Sequence, residues 1–190
     1  METDDETGKA AQIANAINAQ NDKKILWRYT MGDNYSYIQI LVDTLQKQIE
    51  ALKEILELTE EQRSIADNSN FDEVMLEETL NKKEVCIAKL NELDDGFASV
   101  YGRVRKEVKE HKELYKEELQ QLQRLIKECT DLGVGIKVLE ERNRDKLAQC
   151  FSGRYREYGN QRVAATVASR YHQTMRNARL TDSHIFNKKN

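Results

Sequence analysis

Proline is absent from all 190 residues, where average usage near 5% predicts about nine. It removes a helix donor and clashes with the preceding turn, at a cost of about 3 kcal/mol in a helix interior. A chain without it is free to run long helices, and long helices alone give little means of framing an enclosed catalytic pocket. Cysteine is scarce too, at Cys86, Cys129 and Cys150. The number is odd and no C-x-x-C occurs, so neither a disulfide framework nor a zinc knuckle is signalled, and reduced thiols are expected. No apolar run approaches the roughly 18 residues of a membrane span. The opening Met1-Glu2-Thr3-Asp4-Asp5-Glu6 is acidic where a signal peptide is basic, so the expected compartment is the cytoplasm. Dinucleotide, P-loop, zinc-protease and EF-hand motifs are all missing.

What is present is charge. Charged residues make up 33% and apolar residues 39%, and mean hydropathy is −0.78, so any core must be a narrow seam with most of each helix facing water. The charge is unevenly spread. From Arg142 onward eleven Lys/Arg stand against Asp145, Glu157 and Asp182, leaving nineteen basic and thirty acidic side chains before it. An acidic shaft with a basic end suggests a structural body and a segment that meets something else.

The first strong helical pattern opens at Ser36, where Ser36-x-x-Gln39 reads as a capping box and Tyr35 with Ile40 as a hydrophobic staple. Ile38, Leu41, Leu45, Gln48, Leu52, Ile55, Thr59, Gln62 and Ala66 follow in steps of three and four, a heptad seam. Asp67-Asn68-Ser69-Asn70 breaks it, since side-chain-to-backbone bonding by these residues favours turns. Asn70 with Glu73 signals a second cap. The rhythm then continues through Ile87, Leu90, Phe97, Val104, Tyr115, Leu122 and Cys129, predicting a second helix from Phe71 to Cys129 about 90 Å long. Gly133 and Gly135 loosen the pattern, and Ile136, Leu139, Arg142 or Asn143, and Leu147 restore it in a third segment, 134–151, either a continuation past a glycine kink or a return after a turn. A short turn between the first two helices makes them antiparallel. Because the first is about half as long, the distal stripe of the second is expected to need a cover: the third segment, a second protomer or a client.

No catalytic constellation emerges. His111, His172 and His184 are far apart in sequence, and His111 reads as a packed or half-exposed seam residue. Adjacent carboxylates such as Glu77-Glu78 and Glu140-Glu141 point about 100° apart on a helix and read as water-facing. Cys86 and Cys129 read as small core residues. No enzyme, cofactor or metal is expected. In the basic end, Val163, Val167, Tyr171 and Met175 recur every four residues. This stripe either lies on a partner's groove or folds back on the protein's own shaft. Arginines interleaved with Tyr155, Tyr158 and Tyr171 could grip RNA, but no nucleic-acid fold signature is present and the chain is acidic overall.

Several stretches resemble FlgN-type flagellar export chaperones. The run from Tyr37-Ile-Gln-Ile-Leu-Val-Asp-Thr-Leu-Gln through Glu61 is similar to that family's opening helix. Asn70-Phe-Asp-Glu-Val with Lys83, Glu84 and Leu90 resembles its second-helix start, Leu139-Glu-Glu-Arg-Asn143 with Leu147 its later segment, and Tyr171-His-Gln-Thr-Met175 with Ser183-His-Ile-Phe186 its tail in Gram-positive members. The resemblance covers about residues 35–190. It implies a cytoplasmic chaperone for the two hook–filament junction proteins, which binds their amphipathic C-terminal region, prevents premature assembly and delivers them to the export apparatus without cofactor or chemistry. Carrying over the client-binding region gives Val163, Val167, Tyr171 and Met175, with Ile185 and Phe186 as weaker candidates.

The expected architecture is all-α: a long antiparallel, coiled-coil-like hairpin with a third helical segment and a C-terminal amphipathic helix or tail. Residues 1–34 form an accessory extension whose order is left open, 35–151 the hairpin body, and 152–190 the basic partner-binding segment. Two other functions stand beside the chaperone, itself expected as a monomer or homodimer: a self-associating coiled-coil scaffold or adaptor of higher order, and a nucleic-acid-binding adaptor.

Overall fold

A computed structural model of the chain describes residues 32–158 and 161–177. These are all-α, with no strand among the described residues: α1 Gly32–Asp67, α2 Glu73–Glu110, α3 Lys116–Tyr158 and α4 Gln161–Asn177. Residues 1–31, most of the expected extension, lie outside the described residues.

α1 starts at Gly32, four residues before the predicted cap, so Ser36 lies inside the helix and its box is not the helix start. The turn falls where the sequence places it. Asn68 Oδ1 accepts from the Asn70 amide at 3.0 Å, turning the chain after Asp67. The cap of α2 is Asp72 rather than Asn70: its carboxylate accepts from the amides of Val74 (2.9 Å) and Met75 (3.1 Å), two of the four donors a helix start leaves unmet.

The predicted 90 Å second helix does not exist. It breaks at 111–115, and the chain turns back. His111 closes α2 with φ −122° and ψ 42°, its amide bonded to Glu107 O at 3.0 Å, and the Leu114 amide bonds His111 O at 3.0 Å to make the turn. Neither glycine nor proline stands here, so the break comes from packing. The side chain of Tyr115 is wholly buried beside Ile38, Leu41, Phe97 and Val104. Burying each such side chain is worth about 1.5–3 kcal/mol. A continuous rod would leave the stripe after Tyr115 in water, whereas folding back lays it on α1. Conversely, α3 runs unbroken through Gly133 and Gly135, where the sequence shows a loosening. The distal stripe is therefore covered within the molecule, and the large apolar side chains left exposed, such as Ile40, Val74, Val85 and Val138, are scattered over α1, α2 and α3.

The result is an up-down-up bundle with α1 packed between α2 and α3. Its helices match in length, at 36, 38 and 43 residues. α1 and α3 run parallel in one register, since three bonds join residues 84 apart: Cys129 Sγ to Leu45 O (3.8 Å), Asn143 Nδ2 to Thr59 O (2.7 Å) and Cys150 Sγ to Ala66 O (3.3 Å). The core divides into three clusters. One gathers around Ile38 and Phe97, a middle one around Leu52, Cys86 and Ile136, and the third around Leu76, Leu80, Leu147 and Phe151 at the α1–α2 turn. Only the third includes residues of α4.

Candidate functional site

α4 carries Val167, Tyr171 and Thr174 at spacings of four and three, which puts them on one helical face. Thr166, Ser169, His172, Gln173 and Arg176 point to water. The helix seats on α2 and α3, opposite α1, closing a four-helix cross-section at the turn end of the bundle. Beneath it Phe71 and Phe151 meet edge to face at 5.4 Å.

Under α4 lies a buried polar layer. Lys83 of α2, with no exposed surface, donates to Gln62 Oε1 of α1 at 2.8 Å and to Glu140 Oε1 of α3. Glu140 Oε1 also accepts from Thr59 Oγ1 at 3.0 Å, and Gln62 Nε2 donates to Thr79 Oγ1 at 3.1 Å. The second carboxylate oxygen, Glu140 Oε2, accepts from the Tyr171 hydroxyl of α4 at 2.5 Å, and the same hydroxyl lies 3.2 Å from Glu140 O. Every helix thus contributes to one network around a single ion pair. Burial lowers the pKa of Lys83, with the Glu140 carboxylate opposing that shift, and burial beside Glu140 raises that of Tyr171, which stays a neutral donor.

At the rim, Arg170 donates to Glu77 Oε1 (3.1 Å), to both Glu84 oxygens (3.3 and 3.1 Å) and to Asn81 Oδ1, and Thr174 Oγ1 donates to Glu84 Oε1 at 2.8 Å. The hydrogen bonds from Arg170 and Thr174 hold the Glu84 carboxyl below its usual range. Arg170, Glu77 and Glu84 are a third to a half exposed, so each ion pair is worth little alone. Together they fix how α4 lies along α2.

Of the residues predicted to bind a partner, Val167 and Tyr171 come together and are buried, 4% and 3% exposed, against the protein's own α2 and α3. This part of the stripe folds back on the shaft, one of the two alternatives its spacing allows. Val163 and Met175 stand on the same helix, but their side chains are outside those described, and Ile185 and Phe186 lie outside the described residues altogether. The expectation that Glu140 faces water is wrong. Its spacing from Ile136 and Leu147 puts it on the α3 seam, as the spacing of Lys83 from Leu80 and Ile87 puts a cation on the α2 seam. A lysine in an apolar seam demands a carboxylate from a facing seam, and that signal went unused.

Among the described residues no group of three or more His, Cys, Asp and Glu side chains could hold a metal ion. Burial is the main cause that pushes the Cys86 and Cys129 thiols up to about 11 and raises Cys150, the opposite of the depression that marks a nucleophilic cysteine. His111 is exposed, with its Nδ1 3.1 Å from Glu107 Oε1. An open cleft of about 420 Å³ on the α1–α3 seam is lined by Leu56, Arg124, Lys127, Glu128, Asp131, Leu132 and Gly135, with Lys127 and Asp131 paired at 2.5 Å on its rim. No serine, threonine, cysteine or histidine lines it.

The family whose signature matches this chain, over residues 31–152, is described as FlgN protein. The chain belongs to the FlgN family. This match spans α1, α2 and almost all of α3, and it stops before α4, so the resemblance in the tail lies beyond it. No curated protein and no solved structure matches the chain. FlgN proteins are flagellar export chaperones, not enzymes. In this member no helix among the described residues is long and apolar enough to cross a membrane.

Proposed function

We propose that this FlgN protein is a cytoplasmic chaperone that binds the C-terminal helical region of hook–filament junction proteins, prevents their premature assembly and hands them to the flagellar export apparatus. The observation that carries the reading is the docking of α4. It is the shortest of the described helices, it packs along α2 and α3, and its apolar face covers a groove between them. Lifting α4 frees two complementary apolar surfaces: its own face around Val167 and Tyr171, and the groove around Leu80 and Leu147. A client's amphipathic helix engages such surfaces through anchors three and four residues apart, with Ile185 and Phe186 as further contacts. No cofactor and no covalent step is needed.

The test is co-purification of the full chain with the junction proteins and with their C-terminal peptides. Val167→Asp and Tyr171→Asp are expected to abolish capture and impair motility. Failure to recover any junction protein, with motility unchanged in both variants, refutes the reading. Light scattering then separates the chaperone, a monomer or dimer, from a scaffold, which forms stable higher oligomers.

A further inference from the structure

The groove under α4 is not simply apolar. At its centre sits a carboxylate oxygen, Glu140 Oε2, which α4 supplies with a hydroxyl donor at 2.5 Å. The neighbouring oxygen is already engaged by Lys83 and Thr59. At its edge Glu77, Asn81 and Glu84 present oxygens that α4 meets with the cation of Arg170, and Glu84 also takes the hydroxyl of Thr174. Any helix that replaces α4 inherits these demands. A helix with a purely apolar face buries Glu140 Oε2 without its donor, and one with an acid at the rim faces two carboxylates.

We propose that this seat selects a partner helix of defined chemistry: a β-branched apolar residue, a basic residue three positions on, a hydrogen-bond donor four positions on and a hydroxyl seven positions on. This is the pattern of Val167, Arg170, Tyr171 and Thr174. Glu140 is then the residue that determines specificity, because it penalises helices that lack the donor rather than rewarding grease in general. The inference rests on the chaperone reading for the identity of the partner, a client helix, but not for the chemistry of the seat.

The probes are two fluorescent peptides of residues 161–177, one native and one carrying Tyr171→Phe. They are titrated by anisotropy into the full chain bearing Tyr171→Phe, whose own α4 is loosened. Both compete with the same tethered helix, so its high effective concentration cancels in their ratio. The native peptide is expected to bind about ten-fold tighter or more, the usual effect of one hydrogen bond to a charged group. In a chain that also carries Lys83→Met and Glu140→Leu, the preference is expected to vanish or invert. Equal binding of the two peptides to the first chain, or binding by neither, overturns the proposal. If circular dichroism shows that the triple variant does not fold, the ratio on the first chain decides alone. Junction-protein peptides serve as a separate arm. Their failure to bind while the donor preference holds counts against the chaperone reading and leaves the specificity of the seat standing.

Discussion

Replacing Lys83 with methionine removes the cation that pairs with Glu140 in the core while keeping most of the side-chain volume. Lys83 has no exposed surface and the Glu140 side chain is 9% exposed, so the carboxylate left behind cannot recover the lost partner from water. It keeps the hydroxyls of Thr59 and Tyr171, and Gln62 loses the donor to its Oε1. Removing one partner of a buried pair typically costs about 3–5 kcal/mol. With two hydroxyls still bonded to Glu140, the low end applies, about 3 kcal/mol, a large share of the 5–15 kcal/mol that holds a domain folded. The double variant Lys83→Met/Glu140→Leu has no charge to strand. Apolar replacement of a whole buried pair is neutral or stabilising by about 1–4 kcal/mol. It does leave the Thr59 and Tyr171 hydroxyls without their acceptor, at about 1 kcal/mol or more each, so the double variant is expected within about 2 kcal/mol of wild type. Urea unfolding followed by helical circular dichroism, with unchanged slope, measures both. A loss below about 1 kcal/mol in the single variant, or equal losses in the single and double variants, refutes the argument that the pair is interdependent and dry.

Gly96, Gly102 and Gly135 sit in helix interiors, and a Cβ built at each meets nothing within 4 Å. Alanine at any of them is expected to add about 0.5–1 kcal/mol, seen as a rise of about 2–4 °C per kcal/mol in a chain of this size. Asp72→Ala removes the cap of α2 and is expected to cost about 1 kcal/mol in urea unfolding, with Asp72→Asn largely rescuing it. Glu84 has a depressed pKa through Arg170 and Thr174, so its contribution is complete above its ordinary 4.5 and is lost as pH falls through the lower value of the folded state. Hydrogen exchange in α4 is therefore expected to rise on acidification below 4.5 before α1 and α2 open, and Glu84→Gln should remove that pH dependence while leaving α4 looser throughout. Lys83 has the opposite sign to a stabilising cation: its folded pKa lies below the ordinary 10.5, so its share of stability grows as pH rises from that lower value toward 10.5. Alkaline urea titrations of wild type against Lys83→Met measure that difference.

Part of the site was readable from residues alone. The four-residue spacing of Val167 and Tyr171 identifies an amphipathic face whatever it covers, and the Asp67–Asn70 cluster identifies a turn. The occupant of that face could not be read, because a stripe looks the same whether it meets a partner or its own shaft. Glu140 was missed because an adjacent-carboxylate reading treats Glu140 and Glu141 as equals. Only the packed bundle shows that one faces Lys83, while the other is exposed.

The absence of proline, the three-four recurrence of aliphatic residues and the high charge determined an all-helical protein with a thin core, since these are local preferences repeated over many turns. The tertiary structure alone decided where the long pattern breaks. Gly133 and Gly135, each costing about 1 kcal/mol, stay helical, while His111–Tyr115, with no helix breaker, becomes the turn. The reason is one of magnitude. A local propensity is worth about 1 kcal/mol, whereas laying the stripe from Leu119 to Phe151 on α1 and α2 buries many side chains at about 1.5–3 kcal/mol each. The same packing brought Lys83 and Glu140, 57 residues apart in the chain, into one dry layer under α4.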